Sequence, residues 1–127
     1  MKEKQIKKII GQYINAYNES NVEDMLKNIH EDVEFKNITN GEVNMHLKGI
    51  DALRSQAEQA VKLFEKREMK IIEQVIKGNI VENKIEFKCV FAADIPDGPK
   101  KGESVKLEGK SIFQFEKDKI ILIEDIS

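Results

Sequence analysis

The stretch "QYINAYNESNVEDMLKNIHEDVEF", residues 12–35, decides the fold because its hydrophobic period changes from helical to extended. Up to Tyr17 the apolar residues recur at three- and four-residue steps, which is typical of a helix with one buried face. "SNVE", Ser20 to Glu23, has the form of a capping box and predicts the start of a second, short helix. From Val33 apolar and charged residues alternate, and this period of two predicts a strand.

The flanking segments extend this order of helix, helix and strand. The first helical stripe already begins at Ile6. After the strand, Asn40-Gly41 predicts a tight turn because both residues tolerate positive φ, and "EVNMHL" (42–47) alternates again. Gly49 and Asp51 are typical of a helix start. The second helix has the predicted stripe Val22, Met25, Leu26 and Ile29, and the third has Ile50, Leu53, Ala57, Ala60, Val61 and Phe64.

From residue 68 onward the sequence has only strand patterns. Four alternating segments, 69–76, 80–95, 104–115 and 119–127, are separated by turn-forming residues. Apolar residues occur on both parities of these segments. Those opposite the main apolar face are Val90, Ile112, Ile120, Leu122 and Ile126. We therefore expect helices to cover one face of the sheet and a second subunit to cover part of the other, which gives a homodimer through the sheet.

Composition excludes several classes of function. The 127 residues are 40% hydrophobic and 35% charged, which fits one globular domain. The net charge of −2, with both signs interspersed, leaves no basic stripe for nucleic acid. The single cysteine, Cys89, has no histidine or cysteine cluster beside it, so neither a disulfide nor a metal site is predicted. Without an apolar run for a signal peptide or a membrane span, we expect a cytoplasmic protein that does not bind membranes.

Three segments carry a resemblance to a known family. They are residues 12–35, "LKGIDALRS" (47–55) and "GKSIFQFEKDKIILIEDIS" (109–127). Together with the element order they resemble the nuclear transport factor 2-like superfamily, and most closely its SnoaL-like and ketosteroid-isomerase-like branch. The resemblance implies an α+β fold in which a cone-shaped, strongly curved mixed or antiparallel sheet wraps around three N-terminal helices. Residues 1–127 then form a single SnoaL-like domain with an apolar pocket at the open end of the cone.

The resemblance also assigns three polar positions. Tyr13 matches the tyrosine of the isomerase oxyanion hole, Asn37 matches the general-base aspartate, and Ser111 matches the second, protonated aspartate. An asparagine amide does not take up a proton near neutral pH, so we expect no ketosteroid isomerase activity. These three side chains are instead expected to orient a ligand carbonyl or hydroxyl between apolar walls. The aromatic wall residues are expected to be Phe35, Phe64, Phe87 and Phe91.

Each of these positions also has a purely structural interpretation. Tyr13 fits a core residue, Asn37 a strand end, and Ser111 a small residue that makes room for its neighbours. Two further acids, Asp94 and Asp125, lie within reach of a pocket. A buried Asp125 would have a raised pKa and could act as a base, although its place near the last residue favours a solvated side chain.

His46 is a further acid/base candidate, because its segment often rims the mouth of such a cone. It is nevertheless a lone histidine without a paired carboxylate.

Three functions follow from these patterns. The first is a protein that binds a small, largely apolar molecule in its pocket and is not a ketosteroid isomerase. The second is a cofactor-free enzyme of cyclase, isomerase or dehydratase type, which uses Asp125, Asp94 or His46 as acid/base with Tyr13 as an electrophilic aid. The third is a dimerisation module without catalysis, in which aromatic side chains fill the cone.

Overall fold

The computed structural model describes all 127 residues as three helices and one six-stranded sheet. The helices are α1 (Glu3–Asn18), α2 (Val22–Leu26) and α3 (Ile50–Val61); the strands are β1 (Ile29–Thr39), β2 (Glu42–Lys48), β3 (Phe64–Lys77), β4 (Ile80–Phe91), β5 (Ser104–Glu116) and β6 (Lys119–Ile126). The strand order is β2-β1-β6-β5-β4-β3. Only β1 and β6 are parallel, so the sheet is mixed. The predicted α+β class is confirmed.

The core lies between α1 and the inner face of the sheet, which is the face that the helices cover. The buried stripe of α1 has the helical spacing seen in the sequence, and it shares one contiguous core with the strands at the centre of the sheet. Burying one such side chain stabilises the fold by about 1.5–3 kcal/mol. The main members are Ile6, Ile9, Ile10, Tyr13 and Ile14 from α1 and Phe113, Phe115, Ile120 and Ile123 from the sheet.

A bulge in β6 determines which of its side chains face this core. Gln114 pairs with Leu122, whereas Phe115 pairs with Ile120, so Ile121 is the extra residue. The bulge places both Ile120 and Ile123 in the core, and both are buried. The prediction that Ile120 lies on the outer face is therefore wrong. Strict alternation along a strand assigns residues to the two faces of the sheet. If the strand contains a bulge, this assignment is wrong for every residue on one side of the bulge.

Several predicted boundaries also shift. The cap of α2 is Asn21, whose side chain accepts a hydrogen bond from the Asp24 backbone N–H (3.1 Å). Ser20 has a left-handed φ of 57°, so it is not the predicted cap. Ile29 begins β1 instead of ending the stripe of α2, and Phe64 begins β3 instead of ending that of α3. Strand β4 ends at residue 91, and residues 92–95 belong to the following loop.

The exposed edge of β3 is occupied by the end of α1. Asn18 donates from Nδ2 to the Met69 carbonyl (3.1 Å) and accepts from the Met69 N–H at Oδ1 (2.7 Å). One amide side chain thus takes the place of a neighbouring strand at this point. The contact fixes the end of α1 beside β3 and so positions Tyr17.

The outer face of the sheet carries charged and apolar side chains in alternation. Ile112, Leu122 and Ile126 are half-buried there, beside the ion pair of Lys110 with Glu82 (3.0 Å). The homodimer through this face stays a prediction. No helix in the structure combines the length and the apolar character needed to cross a bilayer.

Candidate functional site

A row of polar residues crosses five strands on the inner face of the sheet. Strand pairing aligns Gln74 of β3 with Asn83, Asn83 with Ser111, Ser111 with Asp125, and Asp125 with Asn37 of β1. Asn83 and Ser111 are buried among the apolar residues of the core. Buried polar groups need hydrogen-bond partners, so a row of this kind requires an internal network.

The carboxylate of Asp125 is the reactive group of the row. The Ser111 hydroxyl donates a hydrogen bond to its Oδ1 (2.7 Å). Burial raises the pKa of Asp125 from its ordinary 3.8 to about 6, and the bond from Ser111 opposes this rise. The side chain is half-buried and lines the inner cavity. A carboxylate with this pKa is largely ionised at neutral pH and can take up a proton.

The favoured expectation of a solvated Asp125 does not hold. Strand β6 runs parallel to β1 in the middle of the sheet, with neighbours on both sides. The hydrogen bond from the Ser127 N–H to the Ile38 carbonyl (2.9 Å) extends this pairing past Asp125. Because the end of the chain is held in the sheet, nearness to the last residue does not expose the side chain.

Asn83 holds the row at its centre and is fully buried. Its Oδ1 accepts a hydrogen bond from Gln74 Nε2 (2.7 Å), and its Nδ2 donates to the Ser111 carbonyl (3.0 Å). No buried side-chain nitrogen or oxygen atom is left without a partner. Asn83 thereby fixes the strand segment that carries Ser111. Sequence reasoning missed Asn83 and Gln74, although Asn83 shares parity with the apolar Ile85 of β4.

Two neighbouring cavities meet at the polar row. The inner cavity, of about 170 Å³, lies between the helices and β1 and is mostly apolar. The outer cavity, of about 380 Å³, lies beside the first half of β5 and the end of β6 and has Phe87 and Leu107 in its wall. Tyr17, Asn37 and Asp125 line both cavities. A larger groove of about 940 Å³ lies beside β3, β4 and the start of β5, and most of its lining residues are polar. None of the residues of the polar row lines it, so we place the candidate site in the two smaller cavities.

The two tyrosines of α1 bring hydroxyl groups to these cavities. Tyr13 is buried with its ring edge-on to Phe113 (5.5 Å between centroids), and it lines the inner cavity. Burial, and then the charge of Asp125, raises the pKa of Tyr13 well above its ordinary range. Burial likewise raises the pKa of Tyr17 to about 12. Both hydroxyls therefore stay protonated at neutral pH and are available as hydrogen-bond donors.

Asn37 lies in the wall of both cavities. Its Nδ2 donates to Asn44 Oδ1 (3.0 Å), and Asn44 in turn donates to Thr39 Oγ1 (2.9 Å). This chain orients the amide so that its oxygen remains free to accept a hydrogen bond. A ligand contact from Asn37 stays a prediction, as it does for Tyr13 and Ser111.

The structure does not bring two of the predicted acid/base residues to the cavities. His46 is exposed on β2, with Nε2 3.2 Å from Oε2 of Glu34, and it lines neither cavity. Asp94 is exposed in the loop after β4, where its carboxylate accepts from the Lys101 N–H (2.8 Å). The expectations that His46 rims the cone mouth and that Asp94 reaches the pocket do not hold. Neither position could be placed from the sequence without the strand order.

The four phenylalanines that were predicted to form the pocket wall differ in their positions. Phe35 and Phe64 lie in the wall of the inner cavity, and Phe87 lies in the wall of the outer one. Phe91 packs against Phe64 (5.2 Å between centroids) and lines neither cavity, contrary to the prediction for that residue. Three of the four therefore surround the cavities instead of filling them. No group of three or more His, Cys, Asp or Glu side chains is placed to hold a metal ion.

Arg67 of β3 also lines the inner cavity, although no motif or pattern in the sequence pointed to it. It is buried, its Nε donates to the Tyr17 carbonyl (2.9 Å), and its guanidinium lies 3.8 Å from the centre of the Tyr17 ring. This geometry is a cation–π contact.

Comparison with known proteins identifies the fold. The sequence matches the family model of the SnoaL-like domain over residues 10–123. Among curated proteins, none matches the sequence significantly. A candidate polyketide cyclase from Xanthomonas campestris pv. campestris superposes with a TM-score of 0.82 at 17% identity, over 98% of this chain and 90% of its own.

Two further solved structures are similar. A candidate SnoaL-like polyketide cyclase from Jannaschia sp. CCS1 has a TM-score of 0.80 at 12% identity and covers 97% of this chain and 85% of its own. An LEH-like epoxide hydrolase from M. tuberculosis has a TM-score of 0.76 at 15% identity, over 97% of this chain and 82% of its own. At identities this low, the likeness shows a shared fold and leaves the reaction open.

Proposed function

Because the chain belongs to the SnoaL-like domain family, we propose that it binds a small, largely apolar carbonyl compound and that Asp125 transfers a proton beside the carbonyl. The observation that carries the proposal is the carboxylate of Asp125, which is reached by a mostly apolar cavity and has a pKa of about 6. Apolar walls with a few converging polar groups are typical of small-molecule sites. A carboxyl group with this pKa is suited to general acid/base catalysis near neutral pH.

The chemistry assigns a role to each group around the ligand. The carboxylate of Asp125 takes a proton from the carbon next to the carbonyl; the C–H electron pair forms the C=C bond of the enolate, and the carbonyl π pair moves onto the oxygen. The Tyr13 hydroxyl donates a hydrogen bond to that oxygen. Ser111 holds Oδ1 of Asp125 and so directs Oδ2 to the ligand. Return of the proton from Asp125 to another carbon is an isomerisation. Attack of the enolate carbon on a second carbonyl of the ligand, whose oxygen takes the proton, is a cyclisation. Loss of a hydroxyl group from the next carbon, which takes the proton and leaves as water, is a dehydration.

The same arrangement accounts for the expected lack of ketosteroid isomerase activity. The resemblance places that enzyme's base at Asn37, which cannot accept the proton. Asn37 and Asp125 are paired across β1 and β6, so the carboxylate lies one strand away from the isomerase position. A substrate would therefore have to present its acidic C–H bond to a different strand. Asn37 is left to hold the ligand by a hydrogen bond.

The test uses two simple ketones, cyclohexanone and acetophenone, in deuterium oxide. We expect the protein to accelerate exchange of the protons next to the carbonyl, as followed by proton NMR, and to be stabilised against heat by the same ketones. Asp125→Asn should abolish the acceleration, while the matched variant Asp94→Asn, on an exposed loop, should keep it. Exchange that survives Asp125→Asn contradicts the proposed base. If the ketones neither bind nor exchange, the proposal as a whole is wrong.

We also propose that two copies associate through the outer face of the sheet. Support comes from Ile112, Leu122 and Ile126, which are half-buried on that face among ion-paired side chains. Sedimentation velocity should show a dimer for the natural protein and a monomer for Ile112→Glu. Lys8→Glu, on the exposed face of α1, is the control and should remain a dimer. A monomeric natural protein at micromolar concentration would exclude this interface.

A further inference from the structure

Arg67 is a buried cation without a counter-charge. Its side chain is 7% exposed, yet no carboxylate forms an ion pair with it. A buried charge is costly unless it is paired and hydrogen-bonded. Its position over the Tyr17 ring offsets part of this cost. The structure therefore keeps a positive charge in its interior for which its own acids provide no partner.

Counting hydrogen-bond donors locates the unused part of this group. A guanidinium has five N–H donors. The Nε donor is used by the Tyr17 carbonyl (2.9 Å), and the only hydrogen-bond partner of Nη2 in the protein is Met25 Sδ at 4.0 Å, a weak acceptor. Nη1 has no acceptor in the protein, but it is not sealed off, because no buried nitrogen or oxygen lacks a partner. Nη1 is therefore reachable from the space around it.

Two spaces border Arg67, and one of them is the inner cavity of the candidate site. Arg67 lines the inner cavity together with Asp125, and with Phe64 it also lines the large polar groove. Since the two charged groups form no ion pair, each remains available to a ligand. The rest of the inner cavity is mostly apolar, and its volume of about 170 Å³ is close to the ~150 Å³ of an engineered cavity that binds benzene.

We propose that Arg67 binds an anionic oxygen group of the ligand, so that the ligand class is a small ring compound with a carboxylate or a similar acidic oxygen. The inference rests on the proposed function, since it assigns the second polar group of the same site. Guanidinium and carboxylate form short, often bidentate hydrogen bonds, which are about twice as strong as bonds between neutral groups. The anionic end of the ligand lies at Arg67, and the reacting carbon faces Asp125.

Benzoate and benzamide provide a matched test, because they share one ring and differ mainly in charge. Their affinities are measured by calorimetry for the natural protein, for Arg67→Met and for the control Arg54→Met. Arg54 lies on α3, is paired with Glu23 at the surface and lines neither cavity. We expect benzoate to bind at least about tenfold more tightly than benzamide to the natural protein and to Arg54→Met. Arg67→Met should lose this preference while keeping its affinity for benzamide.

Other outcomes separate the inference from the proposed function. Equal affinities in the natural protein, or an unchanged preference in Arg67→Met, would overturn the role of Arg67. If benzoate fails to bind while acetophenone still exchanges its protons, the inference alone is wrong. If no compound binds or exchanges, the proposed function is wrong as well. Should Arg67→Met not fold, Arg67→Lys keeps the charge, and it should retain a reduced preference for benzoate.

Discussion

Replacing Asp125 by Asn should remove a specific part of the pH dependence of stability. The pKa of Asp125 is about 6 in the folded protein, against an ordinary 3.8. The folded state therefore binds the proton more tightly than the unfolded state, and the stability from this group is complete below pH 3.8. It is lost as pH rises through 6. The difference between these two pKa values, at about 1.4 kcal/mol per pKa unit, corresponds to about 3 kcal/mol in the free energy of unfolding.

The assay is urea unfolding of the natural protein and of Asp125→Asn at a series of pH values from about 3.5 to 7.5. The quantity of interest is the difference between their free energies of unfolding, in which the other titrating groups cancel. Relative to the variant, the natural protein should lose about 3 kcal/mol over this range, with most of the loss between pH 4 and 6. Asp94→Asn is the control and should track the natural protein. A difference that does not change with pH would refute the buried position of Asp125.

Three further substitutions test the polar row and its surroundings. Ser111→Ala removes the hydrogen bond that lowers the pKa of Asp125. The midpoint of the pH-dependent change in the free energy of unfolding should therefore move upward by about one pH unit. An unchanged midpoint would exclude the bond. Asn83→Ala removes the side-chain partner of Gln74 and of the Ser111 carbonyl, and urea unfolding should show a free energy of unfolding lower by about 1–3 kcal/mol. The control Asn44→Ala, on the surface, should change it by less than about 0.5 kcal/mol. Gly109→Ala places a methyl group against the Ile126 carbonyl oxygen and should cost about 1–3 kcal/mol, while Gly11→Ala, with open space around it, should stabilise the helix by about 0.5–1 kcal/mol.

The order of elements was readable from the sequence because each had its own hydrophobic period. The stripe from Ile6 to Tyr17 and the alternation from Val33 gave the first helix and the first strand. What periodicity could not give was the bulge at Ile121, which depends on how β6 pairs with β5. A bulge adds one residue to a strand without leaving a mark in its local composition.

The sequence alone indicated Asp125 as one possible base, and the resemblance to a known family indicated three further polar positions of the site. Tyr13, Asn37 and Ser111 were found in this way, and all three lie on the inner side of the sheet or in the cavity walls. Asn83 was not predicted because its role depends on a register that joins three separate strands, β3, β4 and β5. Arg67 escaped because a single charged residue in a strand gives no sign that its partner is missing. The register around Asn83 and the missing partner of Arg67 can be seen only in the folded structure.

The pH profile of proton exchange tests the central claim, that Asp125 is the base of the site, most directly. With acetophenone in deuterium oxide, the rate of protein-catalysed exchange should rise with pH through a midpoint near 6, because only the ionised carboxylate accepts the proton. The same profile should be absent in Asp125→Asn. The claim would be contradicted if the exchange rate of the natural protein rose through a midpoint far from pH 6. It would also be contradicted if Asp125→Asn catalysed exchange as fast as the natural protein.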